Sequence, residues 1–351
     1  MIYSIFPSKD TTLYEASESV NTGLDSILEV TKIVSESNAP GLYNTRIALG
    51  FDITPISKSI NSGSVTMQDA YLNLYISKAE AIPYNYTLCA KNILQDWDMG
   101  IGKLSHNPET TTGASWIFTD ESGSTKWTVA GGTTGSVITS QSFTYESGDA
   151  RINVSESFGG FLSSSDSDVA GSRGWLVMRS GSEEVNNKRY GSLKFFSVDT
   201  HTIYPPKLDV CWDDSSWSTG SLTMITSSEA LVYIKNNKFE YKADTRTRFE
   251  VRARDVFPIQ SYGTESAALK NYYLPSSSYY SIKDANSEDT VVPFDSNYTK
   301  LSCTSNGNYF DLYMDGLQAE RTYRIVVKVE DRTYSGQVEY FDNNNLFKIT
   351  R

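Results

Sequence analysis

Apolar and polar residues alternate in short runs along most of the chain, and the runs end at Gly, Pro, Asn or Ser. In the first two-thirds they are "SILEVTKIV" (26–34), "AYLNLYIS" (70–77), "WLVMRS" (175–180), "LKFFS" (193–197) and "PKLDVCW" (206–212). A period of two turns one face of a segment to the core and the other to solvent. With breakers at both ends, this predicts strands. The clearest helical candidate in this part is "SESFGGFLSS", which follows Asn153 and Val154 and is kept short by its two adjacent glycines. The stretch 98–135 predicts long loops with one hairpin, and "SSSDSDVAGSRG" (163–174) predicts an exposed loop.

A polar, serine-rich stretch, "DDSSWSTGSLTMITSSE" (213–229), interrupts the rhythm, which then resumes. "ALVYIKN", "KFEYKAD", "RFEVRARD", "KNYYLPSSSYYSIKD", "KLSCTS", "GNYFDLYMDGL", "RTYRIVVKVED" and "QVEYFD" follow one another. Seven or eight strands in roughly 120 residues is the size of an immunoglobulin-like sandwich. The expected organisation is all-β, with a strand-rich domain over 1–213, a linker over 214–229 and an immunoglobulin-like β-sandwich over 230–351. Within "DGLQAERTYRIVVKVE", Leu317 lies before Tyr323 at the entrance to a strand. A tyrosine there can hydrogen-bond back to the turn and pin the crossing between sheets, and an ordinary strand tyrosine is the alternative.

Length and composition agree with this reading. The chain has 351 residues, and single cores stop growing near ~250–300, so two domains are expected. Apolar residues make up 39% of it, with 23 tyrosines and 15 phenylalanines, enough to build real cores. The net charge of −11 disfavours a nucleic-acid partner, since phosphate binding needs a basic stripe. The basic stretch "RTRFEVRAR" (246–254) alternates with apolar residues and reads as the outward face of a strand. The opening "MIYSIFPSKD" predicts no signal peptide, and no apolar run is long enough to predict a membrane span. Cys89, Cys211 and Cys303 are far apart and odd in number, which predicts reduced core thiols rather than a disulfide framework or a zinc site.

Candidate chemistry is sparse. His106 and His201 lie in loop-like stretches, and no Gly-x-Ser-x-Gly elbow is present. Asp96 and Asp98 flank Trp97, but a sequence pair fixes no distance of the kind two glycosidase carboxylates need. "AGGTTGS" (130–136) lacks the lysine of a phosphate loop. No catalytic residue and no cofactor are assigned. Calcium is the one metal weighed, because Asp166 and Asp168 carry half of a calcium loop's spacing and Asp213 and Asp214 are adjacent; solvated loops are the competing and preferred reading. Trp97, Trp116 and Trp127 fall in one loop-rich region, where they could stack on sugar rings or close the end of a sandwich core, and the core is favoured.

Several segments of 1–213 carry a family likeness. "PSKDTTLYE", "NTRIALGFDI", "VTMQDAYLNLYIS", the "DWD" around Trp97, "INVSESFGGFL" and "LKFFSVDTHTIYPPKLDVCW" occur in an order and spacing that resembles the DNRLRE-type domain, a jelly-roll β-sandwich related to carbohydrate-binding modules. Ser197 and Asp199 fall near the family's Ser-Arg-Glu, while Val198 stands where an arginine is expected and the eponymous hexapeptide is absent. The resemblance implies an N-terminal jelly-roll-like sandwich. In its arginine-led strand Arg46 is a scaffold residue forming an ion pair, and Asp52 helps to close the loop that follows. From about Leu231 onward, the stretch "YYLPSSSYYSIKDANSEDTVVPFDSNYTKLSCTSNGNYFDLYMDGLQAERTYRIVVKVE" and the ending "FDNNNLFKITR" resemble the C-terminal domain of virion structural proteins of tailed bacteriophages.

Together these likenesses imply a non-enzymatic virion component of the tail, neck or baseplate, made in the host cytoplasm. It would act as an adaptor or decoration docking on other virion proteins in a symmetric ring. Tyr272, Tyr273, Tyr279 and Tyr280 are the expected partner-facing residues, with an edge strand as the alternative. The rival reading is a carbohydrate-binding adhesion module for host glycans, with Trp97, Trp116 and Trp127 as its contacts. Neither a nucleic acid nor a membrane is an expected partner.

Overall fold

In the computed structural model the described residues are 1–35, 41–144, 147–165, 167–227, 229–259 and 270–351. The chain divides into two units, Ser4–Val210 and Met1–Tyr3 with Cys211–Arg351. The architecture is all-β, as the alternation predicts, and each unit is a β-sandwich of two principal sheets.

The Ser4–Val210 unit carries an eight-stranded sheet. Its order is Thr134–Phe143, Tyr86–Ile93, Trp175–Arg179, Gly41–Phe51, Ile27–Ser35, Gly191–Phe196 and Ile76–Glu80, with Pro7–Tyr14 also paired to Gly41–Phe51. The second sheet runs Ile2–Ile5, Lys207–Cys211, Asp69–Leu74 and Ala150–Asn153. Gly41–Phe51 is long enough to change neighbours: Gly41–Asn44 pairs with Ile27–Ser35, and residues from Thr45 on pair with Pro7–Tyr14.

Alternation gives the large sheet two buried faces. Leu49, Phe51, Trp175 and Val177 share one parity with the fully buried Leu72, Leu74, Leu208 and Val210 of the smaller sheet as fellow core residues. Phe51, Phe158 and Phe161 surround the Trp175 ring, and its indole N–H donates to Ser157 Oγ at 2.9 Å. The opposite parity, with Ala48, Leu176, Met178 and Cys89, packs into a separate cluster with Trp97, Trp116 and Trp127.

Several local expectations need amendment. The run 70–77 is two strands, broken at Tyr75 and belonging to different sheets. Two short helices, Thr54–Asn61 and Gly181–Val185, were not anticipated. The predicted exposed loop over 163–174 contains the helix Ser167–Arg173, and Asp166 lies outside the described residues. The helix expected after Val154 spans Ser155–Leu162, and the hairpin expected in 98–135 is Phe118–Asp120 with Thr125–Lys126.

In the Cys211–Arg351 unit one sheet runs Thr223–Met224, Tyr272–Tyr273, Arg246–Asp255, Gly307–Tyr313 and Ser302–Thr304, with Ala230–Ile234 on Arg246–Asp255. The other runs Glu240–Lys242, Val338–Thr350, Thr322–Glu330, Ser278–Asp284 and Thr290–Val292. The core is aromatic: Tyr280 stacks on Phe310 at 4.1 Å, Phe310 on Phe249, and Phe347 meets both Phe249 and Tyr323. Within "RTRFEVRAR", Phe249, Val251 and Ala253 are buried, while Arg246 and Arg248 turn outward and share Asp311.

Candidate functional site

Arg46 lies on the parity of Ala48, at the end of the face that the loops over 97–133 cover. Its Nε and Nη2 donate to the two carboxylate oxygens of Glu184 at 3.0 and 2.7 Å, and Nη1 donates to the Gly131 carbonyl at 2.8 Å. The guanidinium lies over the Trp116 ring, 4.8 Å from its centroid. Only a planar fork satisfies a carboxylate, a carbonyl and a ring at once. Gly131, at φ +79°, is what brings that carbonyl in: a Cβ there would meet both Arg46 Nη1 and the Trp116 ring at 2.8 Å. Asp52 does a separate, local job, accepting the Thr54 N–H at 3.0 Å at the start of the helix Thr54–Asn61.

The segment 180–191 gathers two further buried cations. Lys32 Nζ donates to the carbonyls of Glu183, Glu184 and Asn186. Arg179, 1% exposed, is flanked by the Tyr86 and Tyr190 rings at 5.1 and 5.2 Å. It donates Nη2 hydrogens to Tyr190 and Gly191 carbonyls, while its Nε and Nη1 have no hydrogen-bond partner among the described residues. Burial pushes the Arg179 guanidinium down to about 10, which leaves it charged at neutral pH. Glu183 turns back to accept the Thr87 N–H. Arg46, Lys32 and Arg179 thus tie one loop to three strands.

Asp10 is fully buried on Pro7–Tyr14. Its Oδ2 accepts the Val198 N–H at 2.8 Å, and its Oδ1 has no hydrogen-bond partner among the described residues. Val198, where the family likeness expects arginine, thus offers Asp10 a backbone N–H. Burial, with a smaller contribution from Asp199, pushes the Asp10 carboxyl up to about 7.

Trp97, Trp116 and Trp127 are 5%, 6% and 5% exposed. The indole N–H of Trp97 donates to the Arg173 carbonyl and that of Trp127 to the Ser115 carbonyl. Lys9 Nζ covers the Trp97 ring at 4.5 Å. These rings are core, the reading favoured from the sequence, and the alternative of an aromatic sugar platform built from them is corrected: a sugar needs an open ring face, and theirs are occupied. The partner-facing expectation for Tyr279 and Tyr280 is corrected in the same way, because Tyr280 is stacked in the core and Tyr279 is buried under Lys328. Tyr272 and Tyr273 are half-buried in a two-residue strand, with Trp217 against Tyr273.

Tyr323 donates its hydroxyl to the Gln318 carbonyl at 2.9 Å across the turn that begins at the buried Leu317. His106 pairs with Thr110 in an exposed loop, and His201 is exposed. Asp96 is bonded to Arg173, and Asp98 accepts the Gly100 N–H. Asp213 accepts the Ser215 N–H. Cys89, Cys211 and Cys303 are buried free thiols. Among the described residues no group of three His, Cys, Asp or Glu is placed to hold a metal ion; Asp166 of the calcium reading lies outside them, and Asp168 is described in backbone only.

Sequence reasoning missed Lys32, Arg179, Glu184 and Asp10. A signal was present for two of them. Lys32 shares the parity of Leu28 and Val30, and Arg179 that of Trp175 and Val177, so each charge sits where alternation demands an apolar residue.

No family model and no curated protein matches this chain. Among solved structures, the adhesin domain of Epf from Streptococcus pyogenes aligns over 100% of this chain and 92% of its own length, at 8% identity and a TM-score of 0.17. A Parabacteroides merdae beta-glucuronidase aligns over 94% of this chain and 36% of its own, at 8% identity and a TM-score of 0.12. At such TM-scores neither likeness carries weight for function.

Proposed function

We propose that this chain is a non-enzymatic structural protein of a tailed-bacteriophage particle, an adaptor or decoration of the tail, neck or baseplate that docks on other virion proteins. The observation that carries the docking role is an exposed apolar fringe on the Cys211–Arg351 unit. Phe257 and Ile259 are 78% and 93% exposed, and Tyr334, Val338 and Tyr340 are exposed on and beside the turn that follows Thr322–Glu330. Two hydrogen bonds bring these segments to one end of the unit: Val256 N–H donates to the Glu229 carbonyl, and Arg332 donates to the Ser227 carbonyl. Large aromatic and aliphatic side chains left in water mark contact surfaces. The polar clusters of the other unit support a scaffold rather than a reaction, since Arg46, Lys32 and Glu183 are each spent on holding a loop to strands.

The test is incorporation into particles. Phe257→Asp combined with Tyr334→Ser should leave the fold intact and remove the chain from purified particles. Full incorporation of that variant would sink the docking surface. Retention of the chain on an immobilised host polysaccharide, with no association with particles, would replace the proposal with the glycan-binding reading.

A further inference from the structure

The outer parity of the smaller sheet in the Ser4–Val210 unit carries a group of polar residues that none of the roles above uses. On Lys207–Cys211, Leu208 and Val210 face the core, so Lys207 and Asp209 share the other face; on the neighbouring strand Asp69–Leu74, Leu72 and Leu74 face the core and Asn73 does not. Lys207, Asp209 and Asn73 are nonetheless all buried. They converge on one carboxylate. Lys207 Nζ lies 3.4 Å from Asp209 Oδ1, and Asn73 Nδ2 donates to Asp209 Oδ2 at 2.9 Å. Ser4 Oγ donates to Oδ1 at 2.5 Å, and the Tyr75 hydroxyl is hydrogen-bonded to Lys207. A primary amine, a primary carboxamide and a carboxyl group that touches the nitrogen of each are therefore held together, away from water, on adjacent strands.

We propose that Lys207 and Asn73 form an intramolecular isopeptide bond, with Asp209 carrying the protons. The ammonium of Lys207 first gives a proton to Asp209. Burial favours this transfer, since it removes two charges from a low-dielectric site. The neutral amine then attacks Cγ of Asn73, forming the Nζ–Cγ bond. Asp209 returns its proton to Nδ2, which it already touches, and takes one from the attacking nitrogen. The Cγ–Nδ2 bond breaks and Nδ2 leaves as ammonia. One amide is exchanged for another, no oxidant or reductant is needed, and the carboxyl ends with the proton that the lysine brought.

Burial pulls the Lys207 ammonium down, but the attraction of Asp209 and Tyr75 outweighs it and holds the group above its ordinary value. The reaction therefore draws on a minority neutral amine. A bond formed once per molecule tolerates that, because fixed proximity replaces a collision and loss of ammonia makes the step one-way. The product would staple two neighbouring strands through their side chains.

The experiment is intact-mass spectrometry of the folded, then denatured, full chain, followed by peptide mapping. The wild-type chain should be lighter than its sequence mass by one ammonia, and a digest should yield a branched peptide joining the segments around Asn73 and Lys207, with no tryptic cleavage after Lys207. Lys207→Arg, which keeps the charge, and Asp209→Ala should both show the full sequence mass. A wild-type chain at full mass after long incubation overturns the proposal, and that reading does not depend on any variant folding. Loss of ammonia without a branched peptide, which a succinimide at an asparagine would give, overturns it as well. An Asp209→Ala chain that still forms the branched peptide overturns the proton-carrying role of Asp209.

Discussion

At the scale of single residues, the side chains that matter most are charges placed among apolar neighbours. Arg46 and Glu184 are both largely buried, and their paired hydrogen bonds hold the segment after Ser180 to the long strand Gly41–Phe51. Removing one partner strands the other, and a buried ion pair broken that way costs about 3–5 kcal/mol. Arg46→Ala and Glu184→Ala should each lower unfolding free energy by that order in urea titrations, and the double variant should cost far less than their sum. Strict additivity would show that the pair is not coupled. Asp10 gives a pH dependence of known sign. Its folded value of about 7 lies above the ordinary carboxylate value of 3.8, so the folded state favours the protonated form. Its contribution is present in full below about 4 and is lost as pH rises to about 7. Asp10→Asn, which imitates the protonated acid, should therefore be more stable than the wild type at pH 8, by on the order of a few kcal/mol, with the gap closing toward pH 4. A gap that stays constant across that range would contradict the burial argument. The identity of Arg46 as a scaffold residue could be anticipated from its strand, but Glu184 could not, because the two are far apart in sequence and only the fold brings them together.

At the scale of elements, the alternating pattern located most strands of the Cys211–Arg351 unit, but in the other unit it passed over Ile2–Ile5, Tyr86–Ile93 and Thr134–Phe143. The run 70–77 reads as one continuous strand, yet it is divided at Tyr75 because Asp69–Leu74 joins the smaller sheet and Ile76–Glu80 the larger. A pattern of period two is blind to such a change of sheet. Thr54–Asn61 escaped because β-branched and hydroxyl residues dominate it, and helix propensity is a weak guide for so short a segment. The ending "FDNNNLFKITR" continues a strand, Val338–Thr350, whose register shifts between Ile325 and Val327 of its partner. Asn344, at φ +53°, absorbs the extra residues, which the asparagine run hides from a strand template. Gly174 gives this scale its test. At φ +68° it turns the chain from Ser167–Arg173 into Trp175–Arg179, and a Cβ there would stand 1.8 Å from the Leu49 carbonyl. Gly174→Ala should either abolish soluble expression or lower the melting temperature well beyond what Gly63→Ala does, Gly63 having open space at the same sign of φ. Equal effects of the two substitutions would mean that the close approach is not what Gly174 serves.

At the scale of the whole molecule, two all-β units each bury their own core, one closed around Trp175 and the other around the Phe249–Phe310–Tyr280 stack. The three tryptophans of the long loops cover a sheet, the reading their sequence setting favours, and Tyr279 and Tyr280, expected to face a partner, are buried. Composition could not distinguish a ring that closes a core from one that faces a partner, because both occupy loops and strand ends. Phe257, Ile259, Tyr334 and Tyr340 are among the apolar groups that do face outward, and the proposed role in particle assembly depends on that surface. The measurement that tests it most directly is quantitative mass spectrometry of density-purified phage particles from the source culture. A structural role predicts this chain at a fixed copy number per particle, matching the symmetry of the ring on which it docks. Its absence from purified particles, with the chain recovered only in the free fraction, would contradict the account.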